Sequence, residues 1–551
     1  MNRAASHGIP APLQPSRSWV PCGNHLPDVL PELYSDVRES ICVHGANPLS
    51  RVSALRVRDV NGAAVRGAGE YILYWMIANR RLNYNFALDR ALEYCRELGK
   101  PLLILEALRC AYPWASERLH RFVIDGMADN AATCAAWRVA YYPYVEPDAG
   151  AGRGSLEAFA SRACVVVTDD FPCFFLPRMV EAAGRKLCVK LEAIDANGLL
   201  PLRATARVFA RAFDFRRYLQ NSLGPHLLEF PAADALRKAK FTTPSAIPPQ
   251  ISSRWPQASE ELLAGKDGAL RGLPIDHAVQ TAHLRGGQTA ARSRMKEFLA
   301  RKLGGYGEHR SEPEADFSSG LSPYLHFGFV TVHEVLHEMA RHESWTPEKL
   351  GLRTNGSREG WWNMSASAEG FMDQLVTWRE LGYNCSAHRA DYDKFESLPE
   401  WARKTLQQHA RDKREHIYSL EEFAAAATHD PLWNAAQRQI VREGVMHNYL
   451  RMLWGKKILE WARTPQQAAQ IMIELNNKYA LDGRNPNSYS GIFWVLGRYD
   501  RPWGPERPIY GHIRYMSSAN TARKFSLKNY IAKYAPPAGN DAHTPQATLN
   551  F

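Results

Sequence analysis

Short apolar runs alternate with helical stretches in the first part of the chain, beginning near Tyr71. The run YILYWMI predicts a buried strand, and the amphipathic stretch from Phe86 to Leu98 predicts a helix. Further strand-like runs lie at Pro101–Leu108, Cys164–Asp170 and Cys188–Asp195. Apolar strands that alternate with helices predict a Rossmann-like α/β domain with a parallel sheet over residues 65–200. No G-x-G-x-x-G fingerprint follows the first strand, so a standard dinucleotide site is not expected.

The second half of the chain has a different pattern. From about Arg292 it reads as long amphipathic helices, for example ARSRMKEFLARKL, TVHEVLHEMARHE and HNYLRMLWGKKILEWA. These stretches predict an all-α domain over residues 291–535. Residues 201–290 contain Pro244, Pro248, Pro249 and Pro256 and are predicted to be an interdomain connector. Residues 1–64 are predicted to be a poorly ordered, proline-rich leader, and residues 536–551 a flexible tail.

Charge favours an anionic partner without requiring one. The 551 residues carry 68 Lys and Arg against 57 Asp and Glu, a formal charge of +11. Between Arg498 and Lys533 there are eight basic and two acidic residues. A local excess of this kind is typical of a surface that contacts a phosphate backbone, although a solvated basic face has the same composition.

Cysteine usage and hydropathy bear on the compartment. The nine cysteines include no C-x-x-C pair, so a zinc ribbon is not expected. Eight of them lie in the first 188 residues, which leaves Cys385 alone in the C-terminal half, so an iron–sulfur centre, which takes several cysteines, is not expected there either. Their odd number, without an apolar signal segment, favours a reducing compartment and hence a cytoplasmic location. No run of eighteen apolar residues occurs, so no membrane partner is expected.

Three tryptophans stand out in the helical half. Trp454 and Trp461 are seven residues apart in RMLWGKKILEW, which places them on one helix face roughly 10 Å apart along the axis. Trp433 precedes Trp454 by 21 residues. Aromatic rings at such separations can relay single electrons, but helices also bury tryptophans as core. The spacing alone leaves both interpretations open.

Several strings occur together in an order that is hard to obtain by chance. They are SSGLSPYLHFG from Ser318, DQLVTWRELGYN from Asp373, LNNKYALDGRNPNSYSGIFW from Leu475 and RPIYGHIRYMS from Arg507. With the tryptophan string, they closely resemble the class II cyclobutane pyrimidine dimer DNA photolyases. The resemblance is dense from about Tyr306 to Tyr534 and looser from about Tyr71 to Leu223. It implies a flavoenzyme with an α/β antenna domain and a helical FAD-binding domain.

An FAD site requires donors for the pyrophosphate, a polar match for the isoalloxazine edge and an apolar enclosure. The string SSGLSPYLHFG offers hydroxyl groups and a glycine that permits close backbone approach. The resemblance assigns phosphate contacts to this string and to residues shortly before it: Tyr306, Arg310, Ser318, Ser319, Gly320, Leu321 and Ser322. It places Asp482, paired with Arg451, at the ring edge, where the pair would favour anionic reduced flavin. It further places Asn476 opposite flavin N5 and Arg379 near the cofactor.

The resemblance also assigns the electron path and the lesion pocket. Trp454 corresponds to the flavin-proximal tryptophan, Trp433 to the middle one and Trp461 to an exposed one. A photolyase extrudes the dimer from the duplex, and aromatic walls offset the cost of unstacking, at about 1–3 kcal/mol per stacked base. The walls correspond to Trp378, Met452, Trp494 and Trp503. Arg501 corresponds to the residue that fills the gap left by the extruded bases.

Two positions depart from the family pattern. Gln374 stands where class II sequences have a glutamate that contacts the dimer, and Asn485 stands where an aspartate is usual. The Gln374 amide keeps a donor and an acceptor but supplies neither a carboxyl proton nor a negative charge. These departures bear on repair efficiency more than on flavin binding.

The sequence thus predicts a monomeric carbon–carbon lyase that repairs cyclobutane pyrimidine dimers in double-stranded DNA, by light-driven electron transfer from reduced, anionic FAD. It does not identify an antenna chromophore. A cryptochrome-like photoreceptor without repair activity is the alternative, favoured by Gln374 and the long leader. A third possibility is a cofactor-free helical protein that binds nucleic acid independently of light.

Overall fold

One six-stranded sheet organises the first part of the chain. The computed structural model describes residues 52–237 and 246–536. The strands lie in the order β1-β6-β5-β2-β3-β4, and all neighbours are parallel except the antiparallel pair β1 and β6. Their bounds are β1 Val57–Asp59, β2 Tyr71–Met76, β3 Leu102–Leu108, β4 Ala140–Val145, β5 Ala163–Asp169 and β6 Leu191–Ile194.

Helices pack on the sheet and form the rest of the molecule. The first seven are α1 Phe86–Leu98, α2 Glu117–Trp137, α3 Ser155–Ala160, α4 Leu176–Gly184, α5 Ala212–Ser222, α6 Pro249–Arg254 and α7 Glu260–Ala264. The next seven are α8 Gln288–Glu297, α9 Leu303–His309, α10 Ser322–His326, α11 Val332–His342, α12 Ala366–Met372, α13 Arg379–His388 and α14 Glu400–Gln408. The last are α15 Leu420–Ala424, α16 Pro431–Glu443, α17 Asn448–Trp461, α18 Pro465–Tyr479, α19 Pro486–Val495, α20 Ser518–Lys524 and α21 Lys528–Lys533.

Two helices continue through a π-helical turn. Phe298–Lys302 joins α8 to α9, and Asp373–Trp378 joins α12 to α13. A π-helical turn adds one residue to the hydrogen-bonded ring, which changes where the neighbouring side chains point. Five short 3-10 turns complete the described secondary structure: Ala54–Arg56, Leu202–Ala204, Gly224–Leu228, Pro347–Lys349 and Phe395–Ser397.

The fold class predicted from the hydrophobic pattern is confirmed. Strands β2 and β5 are buried along their whole length, as expected for a parallel sheet covered on both faces. Helix α1 begins at the Asn85 cap, whose side chain accepts from the Ala87 amide, and ends at Gly99 in the left-handed region. The α/β part is followed by a helical part, as the sequence indicated.

Two strands were not predicted. Strand β4 contains Pro143, which interrupts a strand pattern but is tolerated because β4 lies at the edge of the sheet. Strand β1 falls inside the segment predicted to be a poorly ordered leader, so that prediction is wrong for residues 52–64. Arg56, fully buried just before β1, donates to the carbonyls of Gly198 and Leu199 and fixes this segment in the core. Residues 1–51 and 537–551 lie outside the described part of the chain.

The predicted connector is also more than a linker. Helix α5 lies within it, and Phe215 and Leu219 of this helix belong to the same buried cluster as Met372 and Leu375 of the helical domain. The two parts of the molecule meet closely here. Glu380 of α13 accepts from the backbone amides of Leu199 and Leu200 at 2.7 and 3.1 Å. No helix among the described residues is long and apolar enough to span a membrane.

Candidate functional site

A cavity of about 1650 Å³ lies in the helical part of the molecule. Every residue predicted to contact cofactor or lesion lines it, together with Asn476, Gln374 and Trp454 from the predicted catalytic set. Trp433 and Trp461 do not line it. The cavity thus gathers side chains from the segment around Ser318, the π-helical turn before α13, and helices α17, α18 and α19.

The serine-rich string forms one wall of this cavity. Ser322 begins the five-residue helix α10, with Pro323 in its first turn. Gly320 has a φ of +65°, and a Cβ at this position would lie 2.8 Å from Nε of Arg294. Glycine therefore permits both the backbone conformation and the close approach of an arginine that also lines the cavity.

The predicted ion pair at the second wall is present. Nη1 of Arg451 lies 3.0 Å from Oδ1 of Asp482, and the hydroxyl of Ser322 donates to Oδ2 of the same carboxylate at 2.7 Å. Asp482 follows α18 in a turn in which the Gly483 amide donates to the Ala480 carbonyl. The phosphate string and the ring-edge aspartate, 160 residues apart, are therefore in direct contact.

Three buried nitrogen atoms at this cavity have no hydrogen-bond partner among the described residues. They are Nη2 of Arg216, Nε of Arg451 and Nδ1 of His447. An unpaired buried donor costs about 1–3 kcal/mol, so such groups normally have a partner in the working protein. Two guanidinium groups with free donors suit a bound polyanion. This donor set and the cavity volume fit a dinucleotide cofactor such as FAD.

The remaining cofactor candidates differ in how far their polar groups are buried or already hydrogen-bonded to the protein. Asn476 is 1% exposed and donates to the Ser488 hydroxyl at 2.6 Å. Tyr306 is buried, which raises the pKa of its phenol, and Arg310 lies 5.8 Å from its ring. Arg379 also lines the cavity, but it donates to the Asn197 carbonyl at 2.7 Å and to the Tyr383 hydroxyl. Its hydrogen bonds tie the helical part to the α/β part.

Trp454, Trp433 and Trp461 form a continuous row of neighbouring rings behind the cavity, called the tryptophan stack below. The rings of Trp454 and Trp433 are nearly parallel, at 4°, with centroids 6.4 Å apart. The rings of Trp433 and Trp461 are 6.0 Å apart. The indole nitrogen of Trp433 donates to the Trp454 carbonyl, and that of Trp454 donates to the Gln437 side chain. The stack therefore leads from the cavity wall through Trp433 to Trp461.

The expectation that Trp461 is exposed is wrong, since only 3% of it is accessible. Its ring is covered by His429, at 4.9 Å between centroids, and by Tyr418, at 5.7 Å. Tyr418 donates to or accepts from Nδ1 of His429 at 2.7 Å. The outer end of the stack is therefore separated from solvent by a tyrosine–histidine layer that sequence spacing could not reveal.

The predicted lesion walls surround the mouth of the cavity. Gln374 and Trp378 lie on the π-helical turn Asp373–Trp378, and Trp494 lies in the last turn of helix α19. Trp503 is fixed by its indole nitrogen, which donates to Asp500 at 3.0 Å. Cations lie over these rings: Lys456 is 5.2 Å from Trp494, and Arg501 is 4.6 Å from Trp503. The mouth thus combines flat aromatic surfaces with positive charge.

Lys456 occupies an unusual position beneath Trp494. Its ammonium group is buried and donates to the Val495 carbonyl at 2.6 Å. Burial lowers its pKa to about 7, because desolvation disfavours the charged form. No carboxylate lies within ion-pair distance of it among the described residues.

Asn485, the second position that departs from the family pattern, has a structural role. The side chain of Asn485 caps helix α19, which carries Trp494, by accepting from the Asn487 amide. Its amide group also lies 3.0 Å from Nδ1 of His326. Burial and the neighbouring Arg484 lower the pKa of His326, so its ring is neutral and accepts a hydrogen bond from this amide.

Sequence reasoning missed three arginines at the site. Arg294 lies beside Gly320, and Arg216 bridges Asp373 at 2.7 Å next to Gln374. Arg514 lies 5.8 Å from Trp494 and 4.9 Å from Trp503. Only Arg514 gave a signal, as part of the basic segment between Arg498 and Lys533. The others come from segments distant in sequence.

A second cavity, of about 350 Å³, opens at the α/β domain. Its walls are mainly aromatic and apolar, with basic groups among them: Trp75, Tyr112, Tyr144, Phe171, Phe174, Arg109, Arg153 and Lys186. Phe174 and Phe175 pack edge to face at 4.8 Å. This cavity fits a flat aromatic ligand smaller than a dinucleotide.

Comparison with known proteins gives relatives over most of the chain. The chain is 33% identical over 485 residues to a deoxyribodipyrimidine photo-lyase of Methanothermobacter thermautotrophicus, covering 87% of this chain and 98% of that protein. It is 31% identical to the proteins of the same name from Potorous tridactylus and Arabidopsis thaliana, covering 88% and 84% of this chain and 85% and 88% of those proteins. No family model matches.

Solved structures share the fold. A bacterial class III photolyase from Agrobacterium tumefaciens superposes with a TM-score of 0.61 at 18% identity, covering 85% of this chain and 86% of that one. A cryptochrome from Synechocystis gives a TM-score of 0.55 at 15% identity, covering 84% and 88%. At such identities these two structures bear on the architecture alone.

Proposed function

Since the chain belongs to the deoxyribodipyrimidine photo-lyase family, we propose that it is a light-driven lyase that splits cyclobutane pyrimidine dimers in DNA. The observation that carries the proposal is the cavity of about 1650 Å³. It joins an anion-binding wall, a flavin-edge ion pair, the first ring of a tryptophan stack and a mouth walled by tryptophans. Each of these features serves a different part of one reaction.

We assign FAD to the inner part of this cavity. Arg294 and the string from Ser318 to Ser322 bind the pyrophosphate, and Arg451 and Asp482 hold the polar edge of the isoalloxazine. The guanidinium of Arg451 favours a negative charge on the neighbouring ring. Bound in reduced form, FAD supplies light absorption and a single electron for the dimer, which returns after the ring splits.

The protein residues prepare the substrate. Trp378, Trp494 and Trp503 offer flat surfaces on which the extruded pyrimidines stack, which offsets a few kcal/mol of unstacking cost. Gln374 lies among these walls, where its amide donates to a carbonyl of the dimer as negative charge develops there. Arg501 is exposed and enters the gap in the duplex. The tryptophan stack supplies electrons when the cofactor must be reduced.

A direct assay tests this proposal. Chemically reduced protein is illuminated with an oligonucleotide that contains a single dimer, and intact pyrimidines are quantified by chromatography. We expect repair in the light and none in the dark. Asp482→Asn is nearly isosteric but removes the charge held by Arg451 and Ser322, so it should bind less flavin and repair in proportion. Protein without flavin absorbance, even after reconstitution, would contradict the proposal.

A photoreceptor without repair activity is the second candidate, and Gln374 is the observation that favours it. An amide in place of a carboxyl weakens the stabilisation of the electron on the dimer. This candidate predicts bound flavin and photoreduction but no dimer splitting. The same illumination assay therefore separates the two functions.

The second cavity, at the α/β domain, is proposed to hold an antenna chromophore. Its aromatic walls accommodate a planar light-absorbing ligand, and the basic groups suit an anionic substituent. The test is reconstitution with flat aromatic chromophores, followed by the excitation spectrum of dimer repair. Repair driven at the wavelength of the added chromophore is the expected result.

A further inference from the structure

The aromatic ring of Phe213 is half exposed at the opening of the large cavity. It is 51% accessible and lines the cavity. It lies in the first turn of α5, whose other face, including Phe215, Arg216 and Leu219, is buried. A single exposed phenylalanine is common on a protein surface, but one that lines a cavity beside basic side chains offers a flat apolar face to a ligand bound there.

The start of helix α5 is bridged to the segment that carries Arg501 and Trp503. Arg211, immediately before the helix, forms a parallel backbone bridge with Tyr499. Tyr499 is two residues before Arg501 and four before Trp503. Phe213 is therefore held beside the loop that faces the damaged bases, and it cannot move independently of it.

A second loop is anchored under the ring. The Gly356 amide donates to Gln220 at 2.7 Å, Gln220 donates to the Ser357 carbonyl at 2.8 Å, and Arg216 donates to the Gly356 carbonyl. Gly356 has a φ of +81°, and a Cβ there would lie 2.9 Å from Cε2 of Phe213. The loop thus supports one side of the ring, and the other side remains open.

The surroundings of the ring are basic. Exposed arginines occupy both segments, namely Arg207, Arg211, Arg217, Arg353 and Arg358, against two acids, Asp214 and Glu359. Arg211 and Arg358 line the cavity together with Phe213. Arg211 is paired with Asp214, but this pair is exposed and contributes little. A flat apolar ring framed by arginines matches a nucleic acid, with the ring on a base and the cations on phosphates.

We propose that Phe213 stacks on a base of the duplex next to the extruded dimer, while Arg211 and Arg358 contact the adjacent phosphates. This inference rests on the proposed function and extends its DNA surface from the Arg501 loop to helix α5 and the Gly356 loop. The ring then holds open the distorted duplex from one side, and Arg501 fills the gap.

The test uses full-length protein with bound flavin and measures its affinity for duplexes with and without a dimer. Phe213→Ala should weaken binding to the dimer duplex by about fivefold or more, because one base stack is lost. Phe213→Tyr keeps the ring and should bind as the unmodified protein does. Leu352→Ala is the matched control, since Leu352 is 98% exposed on the loop that contains Gly356 but does not line the cavity.

Two further measurements sharpen the result. A 2-aminopurine beside the dimer should be brighter in the complex with Phe213→Ala than in that with Phe213→Tyr, since a stacked ring quenches it. Arg358→Ala should reduce the salt dependence of binding by about one counterion. Flavin content and photoreduction, measured on every variant, show that the site is folded.

The outcomes separate this inference from the proposed function. If the unmodified protein binds flavin and dimer DNA but Phe213→Ala binds equally well, the inference is overturned and the ring covers something other than DNA. An equal loss in Leu352→Ala also overturns it. If the unmodified protein neither holds flavin nor prefers dimer DNA, the proposed function fails first.

Discussion

In the proposed reaction, Gln374 is the residue that contacts the dimer. It lies on the π-helical turn beside Asp373, whose carboxylate is held by Arg216 at 2.7 Å, and it lines the cavity together with Trp378. The amide can donate to the dimer, but a carboxylic acid donates more strongly. We therefore expect the natural residue to stabilise the charged dimer less than the family residue would.

We expect Gln374→Glu to raise the repair yield per absorbed photon without changing flavin content. A donor placed where charge develops stabilises the electron-bearing dimer, and the acid is the better donor. The measurement is the quantum yield of dimer splitting at one wavelength, with Gln439→Glu, on the same cavity but away from the tryptophan walls, as the control. An unchanged or lower yield in Gln374→Glu contradicts the expected role of this side chain.

Lys456 gives a prediction in pH. Its folded pKa is about 7, lowered from 10.5 by burial, so between these values the unfolded chain binds one more proton than the folded protein. The free energy of unfolding therefore rises with pH across that window. Below pH 7 the charged, buried ammonium group destabilises the folded protein most. Lys456→Met removes the group and with it this dependence.

We expect the free energy of unfolding of Lys456→Met minus that of the unmodified protein to be about 2 kcal/mol smaller at pH 8.5 than at pH 6.5. Denaturant titrations at the two pH values, with flavin bound, measure the difference. Lys457→Met is the matched control, because the neighbouring Lys457 is also buried but its ammonium group is paired with Glu460 at 2.8 Å. A difference that is equal at both pH values would mean that Lys456 is protonated throughout.

At the scale of elements, helices α16 and α17 bring together the three tryptophan rings of the proposed electron path. Neither helix alone brings rings into contact, since Trp454 and Trp461 are two turns apart on α17. Trp433 of α16 packs between them and touches both. The rings meet because the two helices pack with their tryptophan-bearing faces together, in a core that also contains Phe423, Leu453 and Ile458.

We expect Trp454→Phe to abolish photoreduction of oxidised flavin while flavin stays bound, because phenylalanine is much harder to oxidise. Trp461→Phe should slow photoreduction or make it reverse rapidly, since the positive charge then stays closer to the flavin. Absorbance changes after a light pulse measure both. Trp401, a partly buried tryptophan packed against the same core, supplies the control Trp401→Phe. Normal photoreduction in Trp454→Phe and Trp461→Phe would make these rings core residues only.

The π-helical turns are a second feature at this scale. Asp373–Trp378 joins α12 to α13 and carries both Gln374 and Trp378, whereas Asp373 and Thr377 on the same turn are buried. An added residue in the turn changes the phase of the helix. Gln374 and Trp378, four residues apart, line the cavity, while Asp373 and Thr377, also four residues apart, are buried. A helical period near four residues is enough to group each pair on one side of the turn.

At the scale of the whole molecule, we expect the charge distribution to determine how strongly DNA binds. The excess of basic residues between Arg498 and Lys533 adjoins the mouth of the cavity, where Arg501 and Arg514 lie over the tryptophan rings. Counterions released from DNA phosphates favour association at low salt. Binding should therefore weaken steeply as salt concentration rises, for damaged and undamaged duplexes alike.

We expect Arg501→Ala to lower affinity for dimer-containing duplex more than for undamaged duplex, because the guanidinium acts where the extruded bases leave a gap. Binding isotherms at several salt concentrations measure both affinities. Arg523→Ala, an exposed arginine of the same basic segment that does not line the cavity, should reduce both about equally. Equal losses in Arg501→Ala would assign that side chain to general phosphate contact.

The two domains also depend on each other at this scale. Glu380 and Arg379, adjacent on α13, bind backbone groups of residues 197–200. Burial raises the pKa of Glu380 to about 7. The wall of the cofactor cavity is thus continuous with the end of the parallel sheet, and the α/β domain supports the site without lining most of it.

The sequence by itself determined the elements and the family. Hydrophobic runs located four of the six strands, because a strand buried on both faces is apolar throughout. The motifs located the residues of the cavity, because binding a phosphate or a flat base restricts residue type at each position. The edge strands β1 and β4 escaped: β1 has only three residues, two of them charged, and a proline interrupts the aromatic run of β4.

Only the tertiary structure decided which distant groups meet. The contact between Ser322 and Asp482, the insertion of Trp433 between two rings of α17, and the burial of Trp461 under His429 and Tyr418 all join segments packed together by the core. Sequence spacing fixes neighbours along one helix but carries no information on the angle and register at which two helices pack. The arginines at positions 216 and 294, and the position of Phe213 beside the Arg501 loop, follow from that packing alone.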